Sequence, residues 1–166
     1  MLSGWKVRLR RVVPADRPGL AAFDRGDAVD YRHWPAHRAC PPVQGDALQL
    51  AIETFDGVLV GSVCTTPTSP RTGRFGYGIG IGPAHQRRGY ADDAIGVLLD
   101  FMFARRRYRK CEVGIFRCNH ASLCLHRKLG FREEARLRDP ESGLRPLVLM
   151  GLTAEEFAAR PALSRR

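Results

Sequence analysis

The six residues Gln86-Arg87-Arg88-Gly89-Tyr90-Ala91 have the make-up of an anion site. They stand between a glycine-bearing strand pattern and the start of the longest helical pattern in the chain, where free backbone N–H groups and the positive end of a helix dipole meet. Gly89 lets the backbone approach a phosphate with no Cβ in the way, and Arg87 and Arg88 add charge. Taken alone, the six residues fit an ordinary turn with surface arginines just as well, and it is their flanks that point to an anion. A second constellation is Ser122 and His126, spaced i, i+4 and so one turn apart on one helix face. A histidine there can donate a proton. It fits equally a partly exposed helix residue with no chemical duty.

The elements that would position these residues follow from periodicity. Val7 and Leu9 alternate with Lys6, Arg8 and Arg10 as a half-exposed strand stopped at Pro14, and Asp16 can cap a short helix carrying Leu20 and Phe23. Residues 26–45 are irregular and proline-bearing, a candidate wall on the acceptor side. Leu48, Leu50 and Ile52, the turn Asp56-Gly57, then Val58, Val60 and Val63 read as an antiparallel hairpin. Residues 65–73 form a turn region, and 75–81 a strand whose glycines suggest a bulge or a close backbone approach. Ala91, Ala94, Ile95, Leu98 and Met102 mark a helix over 91–107, with Asp92 and Asp93 suited to its start. A strand through Cys111, Val113 and Ile115 precedes a helix over 121–129, ended by Gly130 as a left-handed cap. A strand, a turn at 139–143, a strand through Val148 and a helix opened by the capping box Thr153-x-x-Glu156 complete one domain over 1–166.

Ile79-Gly80-Ile81-Gly82-Pro83 followed by Gln86-Arg87-Arg88-Gly89-Tyr90-Ala91 resembles the signature Gln/Arg-x-x-Gly-x-Gly/Ala of the GNAT acetyltransferases. Asn119-His120-Ala121-Ser122, then Leu129-Gly130-Phe131, resembles the family's second block, and within the family the chain is most similar to the branch of ribosomal-protein N-terminal and polyamine acetyltransferases. The resemblance implies an α/β (α+β) fold with a mixed, mostly antiparallel central sheet flanked by helices. That sheet is splayed between the strand ending near Ile81 and the strand through Cys111 to hold acetyl-CoA. It also implies that Gly80 and Ile81 pair with the pantetheine arm, that residues 86–91 hold the pyrophosphate, that Asn119 meets the cofactor and that Ser122 lies near the thioester. Asn119 reads as well as a helix N-cap. His126 stands where many relatives carry a tyrosine that protonates the departing thiolate, and Gly76 stands where many carry a glutamate. Glu53, Glu112, His85, Tyr77 or a relayed water are the candidates for the missing base.

The formal net charge of +10 invites a polyanion. Its arginines are scattered, however, and no recognisable docking helix or row of interleaved exposed aromatics is present, so nucleic acid ranks last among the partners. The aspartates Asp16, Asp24, Asp27 and Asp30 suit either a cationic acceptor or ordinary capping and solubility. Five cysteines in no metal-ligand spacing read as reduced, mostly buried thiols, and no metal is expected. No apolar run is long enough to span a bilayer and no signal peptide is evident, which gives a soluble, cytoplasmic protein with no membrane partner. The expected function is transfer of an acetyl group from acetyl-CoA to a primary amine in a ternary complex. A homodimer accords with the resembled family. The rival readings are a non-catalytic acyl-CoA-binding module, motivated by Gly76 and His126, and, behind it, a basic nucleic-acid-binding domain.

Overall fold

The computed structural model describes residues 1–26, 47–66, 72–137 and 147–160. The expected acceptor-side wall beyond residue 26, Asp27, Asp30 and the turn at 139–143 lie outside the described residues. Strands β1 (Leu2–Ser3), β2 (Val7–Arg11), β3 (Gln49–Thr54), β4 (Leu59–Thr66), β5 (Arg74–Ile81), β6 (Lys110–Phe116), β7 (Arg132–Leu137) and β8 (Leu147–Thr153) form one sheet in the order β1-β2-β3-β4-β5-β6-β8-β7. The helices are α1 (Arg17–Gly26), α2 (Tyr90–Asp100), α3 (His120–Lys128) and α4 (Ala154–Ala158). The mixed α/β architecture matches the expected fold class.

Period-two burial in the strands and the apolar stripe of α2 explain the packing. Val7, Leu9, Ile52, Val60 and Phe75 are buried with Ala94, Ile95, Leu98 and Leu99 in one core. Each fully buried large aliphatic contributes roughly 1.5–3 kcal/mol, so α2 is fixed chiefly by Ile95, Leu98 and Leu99. All neighbouring strands pair antiparallel except β5 and β6, which are parallel and paired only at Arg74–Lys110 and Phe75–Cys111. Beyond those residues the two strands part. Peptide groups on the β6 side of β5 are thereby released from ladder bonding toward a ligand.

Several local expectations are corrected. Asp16 does not cap α1; its carboxylate accepts from Val13 N at 2.8 Å and from both terminal nitrogens of Arg10 at 2.7 and 2.9 Å. The helix expected to run to Arg107 is α only through Asp100, and Phe101–Arg105 continue it as a π-turn. That wider turn seats Phe103 edge-on against Phe75, with ring centroids 5.6 Å apart. The strand β5 holds its register with β4 without a bulge, so close approach is what its glycines serve. A Cβ at Gly76 would lie 2.7 Å from Thr66 Oγ1 and 2.8 Å from the Glu112 carbonyl oxygen. Val58, placed in the apolar pattern, is exposed. Cys111 is a buried free thiol, but Cys118 and Cys124 are exposed and Cys64 is disulfide-bonded, against the expectation of five reduced, mostly buried thiols. Among the described residues no helix is long and apolar enough to cross a membrane.

Candidate active site

The parting of β5 from β6 opens a cleft of about 640 Å³, lined along β5 by residues 77–81, at the mouth by the turn into α2, and opposite by β6 and α3. Its volume is that of a small-molecule site. The turn into α2 has an unusual backbone: Arg87 and Gly89 both lie in the left-handed region, at φ of 61° and 81°. Gln86 before them is extended, so the chain reverses sharply into α2, whose first backbone N–H groups have no partner within the helix and could meet an anion. Gly89 suits its position because a residue with a Cβ pays roughly 1–2 kcal/mol there.

Two contacts that the sequence did not reveal hold this turn. Lys6 Nζ donates to the Arg88 carbonyl at 2.8 Å. Asp93, in the first turn of α2, accepts from the backbone N–H groups of Trp5, Lys6 and Val7 at 3.2, 2.8 and 2.9 Å. The carboxylate expected to serve its own helix start thus also latches the chain's first residues to it. Gln86 turns back, its Nε2 donating to the Ile81 carbonyl at 3.1 Å and closing the end of β5.

Of the residues singled out from sequence, Gly80, Ile81, Gln86, Arg87, Gly89, Tyr90, Ala91, Asn119, Ser122 and His126 line this one cleft. Arg88 is exposed and not among the lining residues. Asn119 is an N-cap: its Oδ1 accepts from Ser122 N at 3.1 Å. Gly130 closes α3 at φ 86°, with Phe131 N donating to the His126 carbonyl at 2.9 Å. Of the candidate bases, Tyr77 and His85 line the cleft. Glu53 does not, and is spent on Arg10 at 2.7 Å and Arg8 at 3.6 Å. Glu112 is likewise outside the lining and held by Lys110 at 3.0 Å and Arg74 at 3.2 Å.

His126 is buried, not a surface residue. Its Nδ1 lies 2.8 Å from the Ser122 carbonyl oxygen and 3.3 Å from Ser122 Oγ. A carbonyl only accepts, so Nδ1 carries the proton and, in the neutral ring, Nε2 is an acceptor. Tyr77 Oη lies 2.9 Å from that Nε2 and donates to it. The two rings stack at 5.9 Å between centroids, and Phe131 meets the imidazole edge-on at 5.1 Å. Burial lowers the His126 pKa from 6.5, partly opposed by the bond to the Ser122 backbone. Burial, and then neighbouring Cys111, holds the Tyr77 hydroxyl well above its ordinary value. The pair is therefore neutral at pH 7. Among the described residues no group of three or more His, Cys, Asp or Glu side chains could hold a metal ion.

Comparison with known proteins agrees with this geometry. Residues 6–132 match the family described as Acetyltransferase (GNAT) domain. The chain is 31% identical over 169 residues to the SPbeta prophage-derived uncharacterized N-acetyltransferase YokL of Bacillus subtilis (strain 168), covering 93% of this chain and 94% of that one. In fold it is similar to a chimera of the spermidine N-acetyltransferase SpeG from Vibrio cholerae and hSSAT, with a TM-score of 0.78, 18% identity, and coverage of 93% of this chain and 99% of that chain. It is similar too to the Vibrio cholerae spermidine N-acetyltransferase in complex with CoA and spermine, with a TM-score of 0.76, 17% identity, and coverage of 92% and 98%. A family match over most of the chain, a relative matched nearly end to end and a cleft at the parted strands lead to one conclusion: the chain belongs to the GNAT acetyltransferase family and is an N-acetyltransferase.

Proposed function

We propose that the protein moves the acetyl group of acetyl-CoA directly to a primary amine in a ternary complex, the amine being a protein N-terminus, a polyamine or another small amine. The observation that carries this reading is the cleft between β5 and β6, with the left-handed turn into α2 at its mouth and Ser122 and His126 on its far wall. Gln86, Arg87, Arg88, Gly89, Tyr90 and Ala91 would hold the pyrophosphate, and Gly80 and Ile81 would pair with the pantetheine arm. Asn119 would meet the cofactor, and Ser122 and His126 would attend the thioester. Acetyl-CoA supplies the activated acetyl group; this chain supplies orientation, and fixing two reactants in reacting geometry is worth up to about 7–11 kcal/mol of barrier. The neighbour solved with CoA and spermine supports both a CoA donor and an amine acceptor. A cytoplasmic location and self-association belong to the same proposal; a SpeG neighbour is described as dodecameric.

The test is a thiol-release screen with acetyl-CoA and a panel of peptides, polyamines and aminoglycosides, with acetylated product identified by mass. Turnover with at least one amine class is expected. CoA binding without turnover on any amine would instead identify a non-catalytic acyl-CoA-binding module.

A further inference from the structure

His126 cannot meet an incoming group directly, because both ring nitrogens are taken: Nδ1–H by the Ser122 carbonyl and Nε2 by Tyr77 Oη. A proton can enter or leave the imidazole at Nε2 only through Tyr77. Meanwhile Gly76 leaves β5 without a carboxylate, and Glu53 and Glu112 are ion-paired away from the cleft that Tyr77 and His126 line. From this geometry we propose that Tyr77 and His126 form one reversible proton relay, Tyr77 being the catalytic residue that touches the reactants and His126 the proton store behind it, so that a single pair serves as base and then as acid.

The proposal rests on the acetyl-transfer reading, and its steps balance. The amine nitrogen attacks the thioester carbon, a C–N bond forms, and the C=O π pair moves onto oxygen. The proton on the attached nitrogen passes to Tyr77 Oη as the Tyr77 proton passes to Nε2, leaving an imidazolium whose Nδ1–H still donates to Ser122. On collapse the pair on oxygen re-forms the C=O bond as the C–S bond breaks, and sulfur leaves with the C–S pair. The imidazolium then returns its proton to Tyr77 Oη as the phenol proton moves to sulfur, and amide, thiol, phenol and imidazole all end neutral.

The energetics favour the return of the proton to sulfur, while uptake by a buried imidazole is the uphill step. Burial depresses the imidazolium pKa, so it is a stronger acid than an alkyl thiol of pKa about 8.5 and gives its proton up readily. The raised Tyr77 value means that no free phenolate forms and the two proton movements are concerted. The described groups facing the pair are Cys111 from β6, whose buried thiol is held protonated, and Ser122 from α3. Arg87 and the Asp92–Lys128 pair line the cleft and supply its charge, and His85 lines it too.

The relay is tested on the full chain with Tyr77→Phe, His126→Gln and the double variant, measuring kcat at saturating acetyl-CoA and amine, its pH profile, and CoA affinity by calorimetry. Each single variant should lose roughly a hundred- to ten-thousand-fold in kcat, the double variant no more than the worse single, and CoA affinity should hold within about twofold. The wild-type fall in kcat as His126 protonates on the acid side should vanish in His126→Gln. A Tyr77→Phe enzyme that turns over like the parent, or single losses that multiply in the double variant, overturns the relay while leaving acetyl transfer intact. A wild-type chain that binds CoA but acetylates no amine overturns the transfer reading, and the relay with it. Should a variant fail to fold, nitrogen NMR of wild-type His126 decides: the Nδ1–H tautomer upholds the pair, and an Nε2–H tautomer overturns it.

Discussion

Gly89 has a left-handed backbone at the start of α2 and lines the cleft, and under the proposed function it would also give a phosphate clearance. A Cβ there would lie 2.9 Å from Lys6 Nζ, the movable end of a long side chain, so backbone strain is the larger penalty. Gly89→Val should cost the fold about 1–2 kcal/mol and weaken acetyl-CoA binding by at least about tenfold. Calorimetry showing unchanged affinity in a variant that still melts cooperatively would remove this turn from the cofactor site. His126 gives a second expectation at this scale. Its folded pKa lies below 6.5, so between that lower value and 6.5 the unfolded chain binds more protons, and stability falls as pH drops through the window. Melting temperature should decline from pH 7.5 to 5.5 in the parent and less steeply in His126→Gln. At lower pH, Asp16 follows the same sign. Its pKa is held below 3.8 chiefly by Arg10, so that pairing is lost as pH falls through the depressed value.

Among the elements, the junction of the N-terminal segment with α2 is the feature most exposed to a single change. Asp93→Ala would leave the buried Val7 N–H without its acceptor, at a cost of about 1–3 kcal/mol, and loosen the turn that Lys6 holds from the same segment. Gly4→Ala should act alike, because a Cβ at Gly4 would collide with the Asp93 carboxylate. Both variants should lower the melting temperature and raise the KM for acetyl-CoA together; a KM that stays fixed while stability falls would show that the latch serves the fold alone. None of this was legible in the sequence, since Trp5 and Asp93 are 88 positions apart and a periodicity reading sees only neighbours. The same limit hid the Tyr77–His126 bond across 49 positions. What periodicity and capping chemistry could see was found: the α2 stripe, the Gly130 cap, and the Thr153–Glu156 capping box, with its bonds at 3.0 and 3.1 Å. The π-turn at Phe101–Arg105 escaped because its residues continue a helical pattern, and only packing of Phe103 against Phe75 and Phe157 distinguishes it.

For the whole molecule, the net charge of +10 makes any polyanion a competitor of the proposed cofactor, and salt separates the two. Nucleic acid held by scattered surface arginines binds through counterion release, and that affinity collapses steeply as salt rises. CoA in the cleft would combine phosphate contacts at the α2 turn with peptide pairing along β5 and apolar contact with Ile79, Ile81 and Ile115, of which only the charged part is strongly screened. A ligand at a hundred times its Kd stabilises the native state by about 2.7 kcal/mol. For a domain of this size that is a rise of roughly 5–10 °C in melting temperature. Thermal melts with CoA should therefore show a clear rise at 0.1 M salt that largely persists at 0.4 M, whereas any rise given by duplex DNA or RNA should disappear between the two. A CoA effect as salt-sensitive as that of nucleic acid would mean that the charged surface, and not the parted strands, is what the ligand meets.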